Sequence, residues 1–424
     1  MEIDRIEAAA RDLAFGPTSE QKKIRLQLER EGARQGVYFG SLAPVYREMA
    51  RGNPAGFTVP AVNLRGLVFD TARAAFQAAL AIHAGPFIFE IAPSELAASK
   101  QTFDEYAGEV MAAALAEGWR GPLFLQGDHF SLDDPGPAAL AELAEIARQA
   151  VGAGFYQIDV DASDLADSAG ATASQRQEVN ARATGQAARL LQRLAPAQKS
   201  ILAGGEVGQI GGELTSEADL RAFLNLLRDQ LTPGEAGIGK VSVNTGTQHG
   251  GSVDAAGKLG RMNVDFELTA RLSAIARGEY GLPGVVQHGA STMSLDQLAR
   301  LPGCGVNEVH LATGIQNLVF DHPAFPGPLL ERMQRELAGD ASRGASPESG
   351  APHPEAGRAV FYHQRWQAWG RYKTELWDLP ELVKAALGAS LREWFQAVFE
   401  ALRLGGTEGI AREMASKPRL GGEQ

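Results

Sequence analysis

The chain has 424 residues, 44% of them apolar, enough for one large domain with appendages or for two ordinary domains. Its 51 acidic residues outnumber 40 basic ones, and the resulting net charge of −11 argues against nucleic acid or an anionic membrane as the main partner. The single Cys304 excludes an internal disulfide framework and suits a reducing cytoplasm. The opening MEIDRIEAAARDLAFG is charged and has no apolar signal core, and no apolar run approaches membrane-spanning length. The expectation is a cytoplasmic protein that binds a small molecule.

Residues 1–50 read as a helical extension, packing on the rest of the chain or at a subunit contact. Eight short runs rich in β-branched and aromatic residues come next: Phe57–Asn63, Pro86–Ala92, Pro122–His129, Tyr156–Ala162, Ser200–Val207, Lys240–Gly246, Gly284–Ala290 and Asn307–Thr313. Between them lie alanine- and leucine-rich stretches of helical period, such as Ala138–Val151 and Gln175–Leu194. Strand–helix alternation implies parallel strands with crossover helices. Eight such units predict an α/β fold, a (β/α)₈ TIM barrel over residues 51–337. Residues 338–358 (AGDASRGASPESGAPHPEAGR) have linker composition. Residues 359–415 return to amphipathic helix, with Trp366, Trp369, Trp377 and Trp394 expected to pack on the barrel or a partner subunit, and 416–424 form a tail.

Polar residues cluster toward the C-terminal ends of the runs: Asn63, Glu90, Asp128, His129, Asp159, Glu206, Asn244, His288 and His310. A barrel gathers such ends at one face, where its active site lies. A single histidine at a strand end reads as an ordinary hydrogen-bonded polar residue. Three of them, His129 in PLFLQGDHF, His249 in KVSVNTGTQHGG and His288 in GVVQHGAST, read as a three-imidazole site for catalytic Zn²⁺ with one open position. Asp128 can orient a ligand, act as acid or base, or hold a substrate hydroxyl. In EVGQIGGE, Gly208, Gly211 and Gly212 follow Glu206, the composition of a closing loop that would carry Glu213 and Glu217. Small residues after His249 and His288, namely Gly250, Gly289 and Ser291, together with Thr313, can expose backbone N–H groups and hydroxyls to one phosphate without a Lys or Arg.

From about Phe57 to Gln316 the chain resembles the class II, metal-dependent ketose-bisphosphate aldolases, carrying FTVPAVN, DH, EVGQIGGE, HG and HGAS in that family's order. The resemblance implies zinc, or another divalent metal, on His129, His249 and His288, with Glu206 as a resting-state ligand. It implies that Asp128 handles a substrate hydroxyl, that Asn63 lies near the ketose, and that Gly250, Gly289, Ser291 and Thr313 hold phosphate beside a Na⁺ or K⁺ ion. A homodimer or homotetramer is expected. Three departures stand out. Leu214 occupies the usual place of the lid glutamate, making Glu213 the candidate base. The Asn-x-Asp-Thr pattern becomes His310-Leu311-Ala312-Thr313, with His310 a further substrate contact. Ala92 replaces a common serine, and no basic residue matches the grip on a second phosphate.

The reaction expected is reversible aldol cleavage of a phosphorylated ketose, such as fructose 1,6-bisphosphate, to dihydroxyacetone phosphate and an aldehyde. The alternatives are another metal-dependent barrel enzyme (isomerase or hydrolase) and a non-catalytic stabilising subunit of the tagatose-bisphosphate aldolase type.

Overall fold

The computed structural model describes residues 2–52, 56–197, 199–208, 212–232, 235–247, 262–343 and 360–415. Nine strands are present among them: β1 (Val37–Phe39), β2 (Val59–Asn63), β3 (Ile88–Ile91), β4 (Gly121–Ser131), β5 (Phe155–Asp161), β6 (Leu202–Val207), β7 (Lys240–Val243), β8 (Val286–Gln287) and β9 (Glu308–Leu311). Strands β2 to β9 pair in parallel with their sequence neighbours, and β9 returns to β2, closing the expected eight-stranded barrel. Every residue of β2, β3, β6 and β7 is buried, because one face meets the barrel interior and the other meets the surrounding helices.

The helices follow the same logic. Val68–Ala81 buries Val68, Phe69, Ala72, Ala75, Phe76 and Ala79, one stripe of helical period. Phe76 meets Phe87, Phe89 and Trp119 with ring centroids 5.3–5.7 Å apart. Phe399, from the C-terminal helix Glu381–Ala401, closes on Phe87 at 5.2 Å.

The N-terminal extension is helical over Ile3–Phe15, Thr18–Gln35 and Ala43–Ala50, but it also contributes β1, which the helical reading of residues 1–50 did not include. Gly36, at φ 77°, ends the second helix, and β1 then runs parallel to the first residues of β4. Tyr46 and Met49 pack beneath the barrel against Val59, Ala61, Ile88 and Leu202.

Helix Gly327–Arg343 runs past the expected barrel limit at residue 337, and residues 344–358 of the expected linker and the tail 416–424 lie outside the described residues. Trp369 donates from Nε1 to Gln316 Oε1 at 3.1 Å, and Trp377 meets Phe15 at 5.6 Å. Trp366 and Trp394 are half-buried. No helix among the described residues is long and apolar enough to cross a membrane.

Candidate metal and substrate site

Strand period would place Asp128 and His129 on opposite faces. The register of β4 against β5 shifts between Gly127 and Phe130, and His129 takes φ 43°. This bulge brings both side chains to one cavity at the C-terminal mouth of the barrel. Gly127 makes the bulge possible, because a Cβ there would collide with the Phe130 ring. A left-handed backbone costs a non-glycine residue about 1–2 kcal/mol, so the surrounding packing must hold His129 in place.

Asp128, His129, Glu206 and His288 each offer a ligand atom, and these atoms lie within 4.8 Å of one another. His129 Nδ1 is 3.1 Å from Asp161 Oδ2 and 3.4 Å from Glu206 Oε1, while Nε2 is 3.7 Å from Asp128 Oδ2. His288 Nε2 lies 2.9 Å from Ser242 Oγ, and its Nδ1 lies 3.8 Å from Glu206 Oε1. The two imidazoles stand edge to face at 5.1 Å. His249 and Gly250 lie outside the described residues, as does Gly211 of the expected lid.

Below them the barrel is filled by charge. His310 stacks on His288 with centroids 4.0 Å apart. Its Nε2 is 2.7 Å from Glu308 Oε1, and its Nδ1 is 3.0 Å from Glu90 Oε2 and 3.4 Å from Asp128 Oδ1. Lys240 Nζ donates to Gln126 Oε1 at 2.7 Å, Asp159 Oδ2 at 2.8 Å and Glu308 Oε1 at 2.5 Å. The Tyr46 hydroxyl closes the stack from below by donating to Glu308 Oε2. Gly204 leaves room for Asp159, whose carboxylate occupies the space a Cβ would take.

The acids respond differently to this setting. Burial pushes the Glu90 carboxyl up to about 7 against the pull of His310, and burial likewise lifts Glu206 well above its ordinary value. Burial opposes ionisation of Glu308, but Lys240 and His310 hold it at about 2. Burial would also raise Asp128, yet His129, His310 and His288 hold it well below the usual carboxylate range. Burial alone would lower both imidazoles. Asp128 and Glu206 lift His129, and Glu90 and Asp128 lift His310.

The cavity, of about 100 Å³, also receives Asn63, Gly289, Ser291 and Thr313, which the sequence had assigned to substrate. Gly289 takes φ 66°, Ser291 Oγ accepts from the Ala312 N–H at 2.6 Å, and Thr313 opens helix Thr313–Phe320. Asn63 donates to Glu95 Oε2 at 2.7 Å. Glu213 is exposed outside this cavity, and Asn244 anchors its segment by donating to the carbonyls of Gly212 and Glu213, each at 3.1 Å. Glu217 sits on helix Glu217–Asp229, paired with Arg271 at 3.0 Å and Arg221 at 3.3 Å.

Sequence reasoning missed Asp161, Lys240, Gln126, Arg65 and Glu95. Asp161 was accessible through the alternation of β5, where Asp159 and Asp161 share a face. Arg65 also lines the cavity, so its wall does contain a basic side chain.

A model of the family described as class II fructose-bisphosphate aldolase matches residues 46–340. The chain belongs to the class II fructose-bisphosphate aldolase family. A search among curated proteins finds no match. Among solved structures, the YdjI aldolase from Escherichia coli K12 is 14% identical, with a TM-score of 0.53 and coverage of 87% of this chain and 99% of that one. A probable tagatose 6 phosphate kinase from Sinorhizobium meliloti 1021 is 15% identical, with a TM-score of 0.52 and coverage of 81% and 100%. The fructuronate-tagaturonate epimerase UxaE from Cohnella laeviribosi is 12% identical, with a TM-score of 0.54 and coverage of 82% of each chain. At these identities the aldolase-family chain and its neighbours share a fold.

Proposed function

We propose that this protein is a divalent-metal-dependent aldolase acting on a phosphorylated ketose. The observation that carries the reading is the Asp128, His129, Glu206 and His288 cluster, whose ligand atoms converge within 4.8 Å of one another. Glu90, Asp128, Asp159, Glu206 and Glu308 are all buried, with Lys240 as the permanently charged counterpart. Glu206 Oε1 and Asp128 Oδ1 are buried without a hydrogen bond among the described residues. Buried donors of this kind, mixed imidazole and carboxylate, suit zinc or a similar ion.

His129 and His288 would hold the ion, with Glu206 as an exchangeable ligand and His249 as the expected third imidazole. When bound, the ion supplies Lewis-acid polarisation of a donor carbonyl and stabilises negative charge on its oxygen. Gly289, Ser291 and Thr313 bind the donor phosphate through backbone N–H groups, hydroxyls and a helix N-terminus. Remote binding of that phosphate orients the carbonyl. Asn63 positions the ketose hydroxyls, and Asp128 moves the proton on the aldehyde-derived hydroxyl. Glu213 is the proposed base at the donor carbon. It is exposed in this structure and has to swing over the cavity when the donor binds.

The test is metal content together with exchange of the donor C–H proton of dihydroxyacetone phosphate with solvent. Purified protein is expected to carry a divalent ion, and a chelator or His288→Ala should abolish exchange. Full exchange in metal-free protein, or borohydride trapping of substrate on a lysine, would overturn the reading. A second reading, metal-dependent isomerisation on the same scaffold, is favoured by His310, an imidazole clamped between Glu308 and Glu90 in the cavity. Proton exchange on a ketose without carbon–carbon cleavage would select it.

A further inference from the structure

We infer that Trp369 is a positioning residue for the donor end of this site, keying together the three chain segments that bring Asn63 and Thr313 to the cavity. The inference rests on the aldolase reading for what binds there and deepens it.

The three segments leave the C-terminal ends of neighbouring strands. β9, β2 and β3 pair side by side in parallel. Helix Thr313–Phe320 follows β9, the turn at residues 64–67 follows β2, and helix Pro93–Ser99 follows β3. Thr313, Asn63, Arg65 and Glu95 line the cavity from these segments. Trp369 lies behind them. It is 3% exposed and does not line the cavity, so it acts through its neighbours.

Each segment meets the tryptophan or the residue after it. The indole Nε1 donates to Gln316 Oε1 at 3.1 Å, and the ring stands 4.7 Å from that of Phe320, both on the helix after β9. A Cβ on Gly66 would sit 2.5 Å from the indole Cε3, so the β2 turn lies directly against the ring. Gly370 comes so close to the Ala98 carbonyl that it has no room for a Cβ, which seats the backbone beside the indole on the end of helix Pro93–Ser99. That helix in turn holds the β2 turn, because Glu95 accepts from Asn63 Nδ2 at 2.7 Å and from Arg65 Nε at 2.6 Å. Leu67 takes left-handed backbone at φ 48°, which a leucine keeps only where packing imposes it.

A plain core position would accept any apolar ring. This one spends a buried hydrogen bond on Gln316, three residues after Thr313, and requires a glycine opposite. Both contacts set the distance between the β2 turn and the N-terminus of helix Thr313–Phe320, the gap that Asn63 and Thr313 must present to a donor. The proposed metal ligands His129, Glu206 and His288 stand on or just after β4, β6 and β8. A shift of Trp369 therefore loosens the donor and spares the metal.

The test uses full-length, metal-loaded protein carrying Trp369→Phe, Trp369→Leu, Gly66→Ala, or Gly66→Ala with Trp369→Leu. Trp369→Phe keeps a ring against Gly66 but leaves Gln316 unpaired. Calorimetric binding of dihydroxyacetone phosphate should weaken by about 5- to 10-fold, the worth of one buried hydrogen bond. Zinc affinity should stay within about twofold of wild type. Gly66→Ala pushes the indole back and should cost the donor a similar factor, and Trp369→Leu should cost at least as much. In the Trp369→Leu background the added methyl group has room, so Gly66→Ala should cost nothing further, whereas two independent faults would multiply. Amide hydrogen–deuterium exchange reads the positioning without a ligand. In Trp369→Leu, peptides covering residues 63–68 and 313–320 should exchange faster, while those of β5 to β7 stay unchanged. Multiplying losses, an equal loss of zinc and donor, or unchanged amide exchange in both peptides would each overturn the inference. Wild-type protein that binds no dihydroxyacetone phosphate would instead fail the aldolase reading, and the amide exchange would still judge Trp369.

Discussion

Asp161→Asn isolates what the carboxylate behind His129 contributes. Asp161 accepts from the Ser163 N–H at 3.1 Å and from Ser163 Oγ at 2.7 Å through Oδ1, and it meets His129 Nδ1 through Oδ2 at 3.1 Å. Burial would raise its pKa, but the bonds from His129 and Ser163 hold it below the usual carboxylate range, so it is ionised at neutral pH. Asparagine keeps the shape. Its oxygen remains with Ser163, and its amide nitrogen then faces His129 Nδ1. Two N–H groups cannot face each other, so the imidazole must move its proton to Nε2 or turn away. Loss of such an orienting carboxylate costs about 10- to 100-fold in metal affinity, or about 1.4–2.8 kcal/mol. Glu206 and Asp128 remain, which keeps the loss from being complete. The assay is competition for zinc against a chromophoric chelator, with the melting curve of metal-free protein as a check that the fold survives. Wild-type affinity in a normally folded variant would refute the assignment of Asp161 as the group that orients His129.

Gly127→Ala should force the Phe130 ring out of its place in the bulge, at about 1–3 kcal/mol of overpacking, and should lower zinc affinity as His129 moves. Denaturant melts and chelator competition on one preparation check both effects, and a loss of stability with unchanged affinity would count against the bulge. Lys240→Met leaves Asp159 and Glu308 buried without their cation and should cost about 3–5 kcal/mol in urea unfolding. A loss below about 1 kcal/mol, read from the same melts, would mean that water reaches the barrel floor. Away from the site, burial pushes Glu105 up to about 7 and Glu109 well above its ordinary value, with Lys373 pulling both down. Their folded-state values lie above the unfolded one, so their contribution is full below the ordinary carboxylate range; that of Glu105 is lost as pH rises through about 7, and that of Glu109 is lost as pH rises through its own raised value. Glu109→Gln removes one of these acids, so its stability relative to wild type should improve from acidic to alkaline pH. A pH-independent difference would contradict that.

The barrel was legible because its eight strands are short β-branched and aromatic runs between helices of clear period. The strand ends were less so, since β8 pairs only over Val286–Gln287 within a run that reads as Gly284–Ala290. Strand β1 went unread because three residues between long helices show no alternation of their own. His129 and His288 were legible as strand-end imidazoles, but the device that turns Asp128 and His129 together was not. It depends on Phe130 folding back over Gly127, a local contact made because the backbone at His129 turns left-handed, which strand periodicity does not encode. Arg65 was passed over because a basic residue just after a strand usually faces solvent. It is held by Glu95, thirty residues on, while its neighbour Gly66 packs on Trp369, more than three hundred residues on. Similarly, nothing in LAGGEV itself says what its two glycines are for. Gly204 is bare because Asp159 fills the space where its side chain would go.

Tyr46 has a consequence for where the catalytic unit begins. A cut at residue 51, where the first barrel strand approaches, would remove the hydroxyl that rests on Glu308 and the apolar residues that pack around it. Water would then enter the barrel from its lower mouth. The charges of Lys240, Asp159 and Glu308 would be solvated from behind, and the local dielectric beneath His310 and His288 would rise. The candidate site and Tyr46 lie at opposite mouths of the barrel, yet they share one dry column of charge. A barrel excised without its first fifty residues would keep every proposed ligand and still hold them in a wetter, weaker field.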